Sequence, residues 1–341
     1  MDAMTTDLSS RVNAYLSEAR IEGAALTFLT PDASDRRYVR IAPRQGPAHV
    51  LAVHLGPIEF DRLPFANVAS LLAAMPVPVP RIIGHSNPLG IIALQDLGDV
   101  TLQTHLESTA RADLDARYRE AVAHIATIQR RGHELASGSY LPYTLAFDVP
   151  KLMFELDFFA THFLEGHRSA TLPAATRDAL ADEFTRLASE LADEPRVVCH
   201  RDYHSRNLMV HEDALAIIDF QDARMGPDTY DLASLLRDSY VELEAETLEA
   251  LVTHFLSLDR GPRGDTGDRA LFRERFDTMA LQRNLKALGT FGYQASKRGN
   301  PTYLRDVPRT LSYLRTTFDR QPRFGRLREL LTPSVPELAP G

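Results

Sequence analysis

The segments His200-Arg201-Asp202-Tyr203-His204-Ser205-Arg206-Asn207 and Ile217-Ile218-Asp219-Phe220-Gln221-Asp222 constrain this chain more tightly than any others. Val197-Val198-Cys199 is a short apolar, β-branched run that delivers the first of them. Leu208-Met209-Val210, an acidic turn at Glu212-Asp213 and the run Leu215-Ala216-Ile217-Ile218 predict a tight hairpin. Asn207 and Asp219 should then emerge at the same end of adjacent strands. An amide and a carboxylate placed side by side suit a magnesium–phosphate cluster, because Mg²⁺ takes few protein oxygens and completes its shell with water and phosphate.

The first segment also fits H-R-D-x-x-x-x-N, in which the Asp receives the proton of an attacking hydroxyl and the Asn holds a magnesium ion. Asp202 is therefore the candidate catalytic residue, and Asn207 and Asp219 are candidate metal ligands. His200 is expected to buttress the loop, and His204 to line the acceptor side.

The chain has 341 residues and 44% hydrophobic content, enough for one large or two medium domains with real cores. No apolar run approaches ~18 residues, and Met1 to Asp7 lacks a basic stretch before an apolar core. A soluble, cytoplasmic protein without a membrane partner is expected. With 46 acidic residues against 38 basic ones, no surplus of cations exists to neutralise a nucleic-acid backbone, and a monomer with a small-molecule substrate is the expectation. The single cysteine, Cys199, reads as a buried structural thiol. Only three lysines occur: Lys151, Lys286 and Lys297.

Ala25 to Leu29, Arg37 to Ile41 and Val50 to Leu55 are strand-like, and Asp61 to Met75 carries one apolar helical face. The Pro76-Val77-Pro78-Val79-Pro80 run ends that helix before the strand pair Arg81–Ile83 and Gly90–Leu94. Gln95-Asp96-Leu97-Gly98 then acts as a hinge. Beyond it, Leu114 to Ile128, Leu152 to Phe163 and Leu180 to Leu191 follow the 3.6-residue period as core stripes. Asp228 is expected to cap a helix from Thr229 to about Tyr240, with Asp231 as the reciprocal carboxylate. Further helices are predicted over Glu244–Leu258, Arg269–Ser296 and Pro301–Phe318, with a flexible connector at Gly261–Gly267 and a frayed tail from Thr332. The fold class is α+β: a small β-rich lobe over 1–95, a larger, mainly helical lobe over 96–331 and a tail over 332–341.

With Asp32 to Arg40, Leu94 to Asp99, Gly226 to Leu232 and Gln282 to Gly289 added to the two opening segments, the chain resembles the aminoglycoside phosphotransferase/choline-kinase-like superfamily. Within it, the chain looks like bacterial anomeric kinases of N-acetylmuramate and N-acetylglucosamine, over roughly residues 26 to 315. The resemblance implies a bilobal protein-kinase-like fold with ATP and Mg²⁺ as cofactors. It further implies phosphorylation of a sugar's anomeric hydroxyl in cell-wall sugar recycling. It places adenine against backbone groups of Gln95 and Leu97. Gln221 and Asp222, adjacent to the metal carboxylate, are the first candidates for sugar contacts, with Arg283 and Lys286 on the late helix as further ones.

One departure stands out. Most kinases hold the α/β-phosphates with a strand-three lysine, yet Val50 to Leu55 offers only His54, and no lysine precedes Lys151. Ser34, Arg36 and Arg37, with Arg40 beside them, are the nearest candidates for the phosphate contacts, since guanidinium binds phosphate bidentately. The rival readings are an aminoglycoside, another hexosamine or an amino alcohol as acceptor, or a catalytically dead nucleotide-binding scaffold.

Overall fold

The computed structural model describes residues 3–29, 36–107, 110–262 and 268–340. Strands β1 (Ala25–Leu29), β2 (Arg37–Ala42), β3 (His49–Val53), β4 (Ile82–Ser86) and β5 (Ile91–Gln95) form an antiparallel sheet in the order β1-β2-β3-β5-β4. Its register pairs Tyr38 with Ala52 and Ala52 with Ile92, while Val39 pairs with Leu51 and Leu51 with Ala93. Alternate residues therefore line opposite faces.

One face, with Val39, Ile41, Leu51, Val53, Ile91 and Ala93, is closed by Val12, Tyr15 and Leu16 of helix α1 (Ala3–Glu18). The sequence pattern predicted one helix in this lobe, and α1 is a second. Its apolar stripe is short and set among polar residues, so only the waiting sheet face makes the helix worth forming. Ala52, Ile92 and Leu94 on the other face join helix α2 (Pro64–Ala74) and the main core. The helix expected from Asp61 is split into a short 3₁₀ turn, Phe60–Arg62, and α2. Pro64 takes the first position of α2, where the missing N–H is no loss.

After the hinge, where Gly98 has φ +81°, come α3 (Leu102–Leu106), α4 (Arg111–Glu134), α5 (Val149–Phe159), which runs on as a π-helix over Ala160–His167, and α6 (Ala174–Ala192). Strands β6 (Arg196–Cys199), β7 (Leu208–His211), β8 (Ala214–Ile217) and β9 (Arg224–Pro227) follow, β6 pairing with β9 and β7 with β8. Helices α7 (Tyr230–Leu236), α8 (Ala245–Ser257), α9 (Arg269–Lys297), α10 (Val307–Arg320) and α11 (Gly325–Leu331) complete the lobe. The three predicted stripes are core: Tyr118, Ile125, Leu152, Phe159, Phe184 and Leu187 are all buried in one apolar cluster.

Helix α9 lies close against α5 and the π-helical turn. A Cβ on Gly289 would come within 2.9 Å of the Phe159 backbone, and one on Gly292 would overlap the His162 carbonyl. Glycine is what permits the approach. Phe65 of α2 stacks on Phe220 at 5.0 Å, so the apolar core runs from the sheet to the residue after Asp219. Cys199 is buried, as expected, and burial pushes its thiol up. The tail differs from expectation: Val335 and Leu338 are fully buried, and Arg328 Nε donates to the Leu338 carbonyl at 2.6 Å. Two apolar anchors outweigh the prolines around them. Among the described residues no helix is long and apolar enough to cross a membrane.

Candidate active site

The loop after β6 is held from both ends by buried aspartates. His200 N and Arg201 N donate to Asp231 at 2.6 and 3.0 Å. Ser205 donates its amide and hydroxyl to Asp238 at 2.9 and 2.5 Å, and Tyr240 N donates to the same carboxylate at 2.9 Å. Burial pushes both carboxyl groups up, and these donors offset it. Arg201 has φ +88°, a conformation costing about 1–3 kcal/mol that persists only where neighbours impose it.

These bonds correct the expected helix cap. Helix α7 starts at Tyr230 without a side-chain cap, Asp231 reaches back to the loop, and Asp228 pairs with Arg275. Asp231, one residue into α7, meets the amides just past β6 rather than capping its own helix.

The β7–β8 hairpin forms as predicted, with Glu212 and Asp213 both at positive φ, as a two-residue turn requires. Ile218 N donates to the Asn207 carbonyl at 3.0 Å, which sets Asn207 beside the strand end that leads to Asp219. His200 Nε2 meets the Ile218 carbonyl at 2.9 Å and so ties the loop to the hairpin. Asn207 Nδ2 donates to the Asp202 carbonyl at 2.9 Å, which leaves its side-chain oxygen for a ligand. Asp219 accepts one bond from Gln221 at 2.8 Å and keeps its second oxygen. Among the described residues no group of three or more His, Cys, Asp or Glu can hold a metal by itself. One carboxylate and one amide, all oxygen donors, suit Mg²⁺ bound together with phosphate.

The Asp202 carboxylate meets Lys286 Nζ at 2.7 Å, Arg283 at 3.7 Å and Arg201 at 3.8 Å. Burial pushes its carboxyl up, but Lys286, Arg283 and Arg201 together hold it well below the usual carboxylate range. Behind Lys286 lies Glu155, which accepts from Gln282 at 3.0 Å and pairs with Lys151 at 3.4 Å. Two of the three lysines thus converge on this network.

The residues expected to touch sugar have other partners here. Gln221 turns to Asp219, and Asp222 pairs with Arg201 at 2.6 Å. Arg283 donates to the Tyr230 hydroxyl and to Ser234 Oγ, each at 2.7 Å. Lys286 and Arg283 nevertheless line a pocket beside Asp202, together with His204, Asp238 and Tyr240. His204 packs edge-on to Tyr240 at 5.3 Å, and burial pushes its pKa down to about 3, so it stays neutral near pH 7.

On the sheet side, Gln95 N donates to the Arg81 carbonyl at 2.9 Å, which leaves the Gln95 carbonyl rather than its amide for an adenine. Leu97 packs on Met209 and Ala216 of the hairpin. Arg40 is bound to Asp96 at 2.7 Å and Asp99 at 2.8 Å and so closes the hinge. Arg36 lies near His54, whose pKa is lowered by burial and then by Arg36, and Arg37 is exposed at the start of β2. Ser34 lies outside the described residues. Asp238 and Glu155 were not singled out from the sequence, although Glu155 interrupts the otherwise apolar pattern of α5; Asp238 lies just past the end of α7.

The family model "Phosphotransferase enzyme family" matches residues 25–267. The N-acetylmuramate/N-acetylglucosamine kinase of Pseudomonas aeruginosa is 32% identical over 320 residues, 92% of this chain and 89% of the relative. A choline/ethanolamine kinase family protein from Mesorhizobium loti superposes with a TM-score of 0.61 at 17% identity, covering 95% of this chain and 97% of its own. Amicoumacin kinase, solved in complex with AMP-PNP, Ca²⁺ and Ami, superposes with a TM-score of 0.62 at 13% identity, covering 92% of this chain and 96% of its own. These two structures share the fold.

Proposed function

Because the chain belongs to the phosphotransferase enzyme family, as a kinase acting on a hydroxyl group, we propose that it phosphorylates the anomeric hydroxyl of an N-acetylated amino sugar. ATP is the donor, the product is a sugar 1-phosphate, and the setting is recycling of cell-wall sugars in the cytoplasm. The observation that carries this reading is Asp202, fixed by Lys286 on the wall of a pocket and one loop away from the Asn207–Asp219 pair.

Phosphoryl transfer needs alignment and charge neutralisation more than covalent help from the protein. Asp202 accepts a hydrogen bond from the sugar's C1 hydroxyl and takes its proton as the oxygen–phosphorus bond forms and the bond to the β-phosphate oxygen breaks. A hemiacetal hydroxyl is more acidic than an ordinary alcohol, which suits a carboxylate held this low. Asn207 and Asp219 would hold Mg²⁺, which supplies neutralisation of the phosphate oxygens. Lys286 keeps the Asp202 carboxylate aimed into the pocket. Ser34, Arg36 and Arg37 are proposed for the phosphates, and the Gln95 carbonyl and Leu97 backbone for adenine. Gln221 and Asp222 remain sugar contacts only if substrate draws them from Asp219 and Arg201.

Of the rival acceptors, the aminoglycoside and the amino alcohol are cations, and the pocket argues against these two. Its wall carries Arg237, Arg283 and Lys286 against Asp202 and Asp238, and both carboxylates are already bonded within the protein. An aminoglycoside or amino alcohol would meet cations where it needs anions. Incubation of N-acetylglucosamine or N-acetylmuramate with ATP and magnesium, read by phosphorus coupling to the anomeric proton, tests the assignment. A sugar 1-phosphate is expected, with a C1-blocked methyl glycoside inert. Phosphate on another oxygen, or an active methyl glycoside, would overturn it.

A further inference from the structure

We propose that Glu155 is a positioning residue for phosphoryl transfer: by balancing Lys286 and Arg283 from α5, it leaves one oxygen of the Asp202 carboxylate free for the acceptor hydroxyl. This rests on the sugar-kinase reading above.

Lys286 Nζ at 2.7 Å and Arg283 at 3.7 Å both make their nearest approach to the same oxygen of Asp202, Oδ1. On the Oδ2 side stands Arg201 at 3.8 Å, beyond hydrogen-bond reach, and Asp222 holds that guanidinium more closely, at 2.6 Å. Oδ2 is thus the oxygen left to an acceptor in the pocket that Asp202, Arg283 and Lys286 line.

The arrangement needs a second anion. Arg283 and Lys286 stand one turn apart on α9 and repel each other: burial, then Arg283, pushes the Lys286 ammonium down, while Asp202 and Glu155 push it back up. One carboxylate cannot balance two such cations. Glu155, only 3% exposed, supplies the other charge and accepts from Gln282 of the same turn of α9 at 3.0 Å. Its field also reaches Arg283 and Arg201, so the three cations around Asp202 all feel it. Pairing with Lys151 at 3.4 Å does not account for its place: burial pushes the Glu155 carboxyl up, and Lys286 does more than Lys151 to hold it below its ordinary value.

With Glu155 neutral, both cations would fall to Asp202 alone, and Coulomb attraction in a buried site would draw in its second oxygen. That oxygen has work in the reaction. The C1 hydroxyl oxygen bonds to the γ-phosphorus, its proton passes to Oδ2, and ADP leaves with the electron pair of the broken oxygen–phosphorus bond. Glu155 touches none of these atoms and acts through Lys286 and Arg283.

Steady-state kinetics with N-acetylglucosamine and ATP on Glu155→Gln, Glu155→Asp, Lys286→Met and the double variant Lys286→Met/Glu155→Gln test this. Glu155→Gln should lower kcat about 10–100-fold with both KM values within about 2-fold of wild type, as a misaimed base predicts, and Glu155→Asp should recover part of the loss. Adding Glu155→Gln to Lys286→Met should lower kcat by less than about 2-fold, because the cation it acts through is gone. An unchanged kcat in Glu155→Gln, or equal losses in both backgrounds, overturns the proposal. If Glu155→Gln does not fold, the double variant, which removes one charge of each sign, is compared with Lys286→Met: equal kcat supports the proposal and a lower one overturns it. Failure of the wild-type enzyme to turn over the sugar would be a failure of the sugar-kinase reading. Nitrogen-15 NMR of the lysine ammonium groups then decides, since only three lysines occur and Lys286→Met identifies the resonance of Lys286. A shift of that resonance in Glu155→Gln supports the role of Glu155, and an unmoved one overturns it.

Discussion

In the sheet lobe the Arg62–Glu59 pair and the Asp99 arm of Arg40 lie at the surface, whereas the helical lobe buries Asp231, Asp238, Glu155 and Arg283 around one loop. Exposed pairs contribute about 0–1 kcal/mol each, while breaking a buried, hydrogen-bonded charge network costs about 3–5 kcal/mol. The first lobe is therefore assembled by its two apolar faces. The second spends buried polar groups on holding Arg201 and Asp219 at positive φ, where no local preference would keep them.

The largest effects should come from the helical lobe. Asp202→Ala is expected to cut kcat about 10²–10⁴-fold while calorimetric ATP affinity changes little, because the role proposed for the group is on the acceptor. Asp219→Ala should in addition move the magnesium activation curve to higher concentration; an unaltered curve would remove Asp219 from metal binding.

Next in size is Asp231→Ala, which strands two loop amides and should destabilise the fold by about 2–4 kcal/mol with loss of turnover. A urea midpoint close to wild type would show that the loop is held by something else, and the contrast between lobes would lose its main support.

A pH-dependent case sharpens the comparison. Glu194, packed with Asp228 around Arg275, is pushed by burial from 4.5 up to about 7. The folded state therefore binds this proton more tightly than the unfolded chain. Its contribution to stability is complete below about 4.5 and is lost as pH rises through about 7. Between pH 5 and 8, Glu194→Gln should gain about 1–3 kcal/mol relative to wild type in chemical denaturation. A difference independent of pH would mean that Glu194 stays ionised throughout.

The smallest effect is expected in the sheet lobe. Arg40→Ala should cost at most about 1 kcal/mol, because the hinge pair it breaks is partly exposed. Arg36→Ala or Arg37→Ala should change stability as little yet raise the KM for ATP. Wild-type nucleotide kinetics in both would place the phosphate contacts elsewhere.

Much of the candidate catalytic segment was legible because its contacts are local. The β7–β8 hairpin, the backbone bond between Ile218 and Asn207 and the buried Cys199 follow from alternation and turn residues within a few positions. Where partners are distant in the chain, sequence pattern misled. Strand β9 is defined by pairing with β6 and by backbone bonds of Met225 to Leu145 and Phe147, and α1 needs the far face of a sheet that forms after it in the chain. The tail read as frayed because Pro and polar residues dominate it, while two apolar side chains find a groove that only the folded helices provide.

By itself, then, the sequence determined a two-lobed α+β kinase frame and singled out Asp202, Asn207 and Asp219 as the candidate site, since short-range spacing encodes both. Tertiary structure alone decided which charges meet. Lys286 reaches Asp202 across 84 positions because Gly289 and Gly292 let α9 press against α5, and Asp277 is shared by Arg273 and Arg320 from two different helices. Coulomb interactions depend on distance in space, and in a buried site that distance is set by how helices pack rather than by their order along the chain.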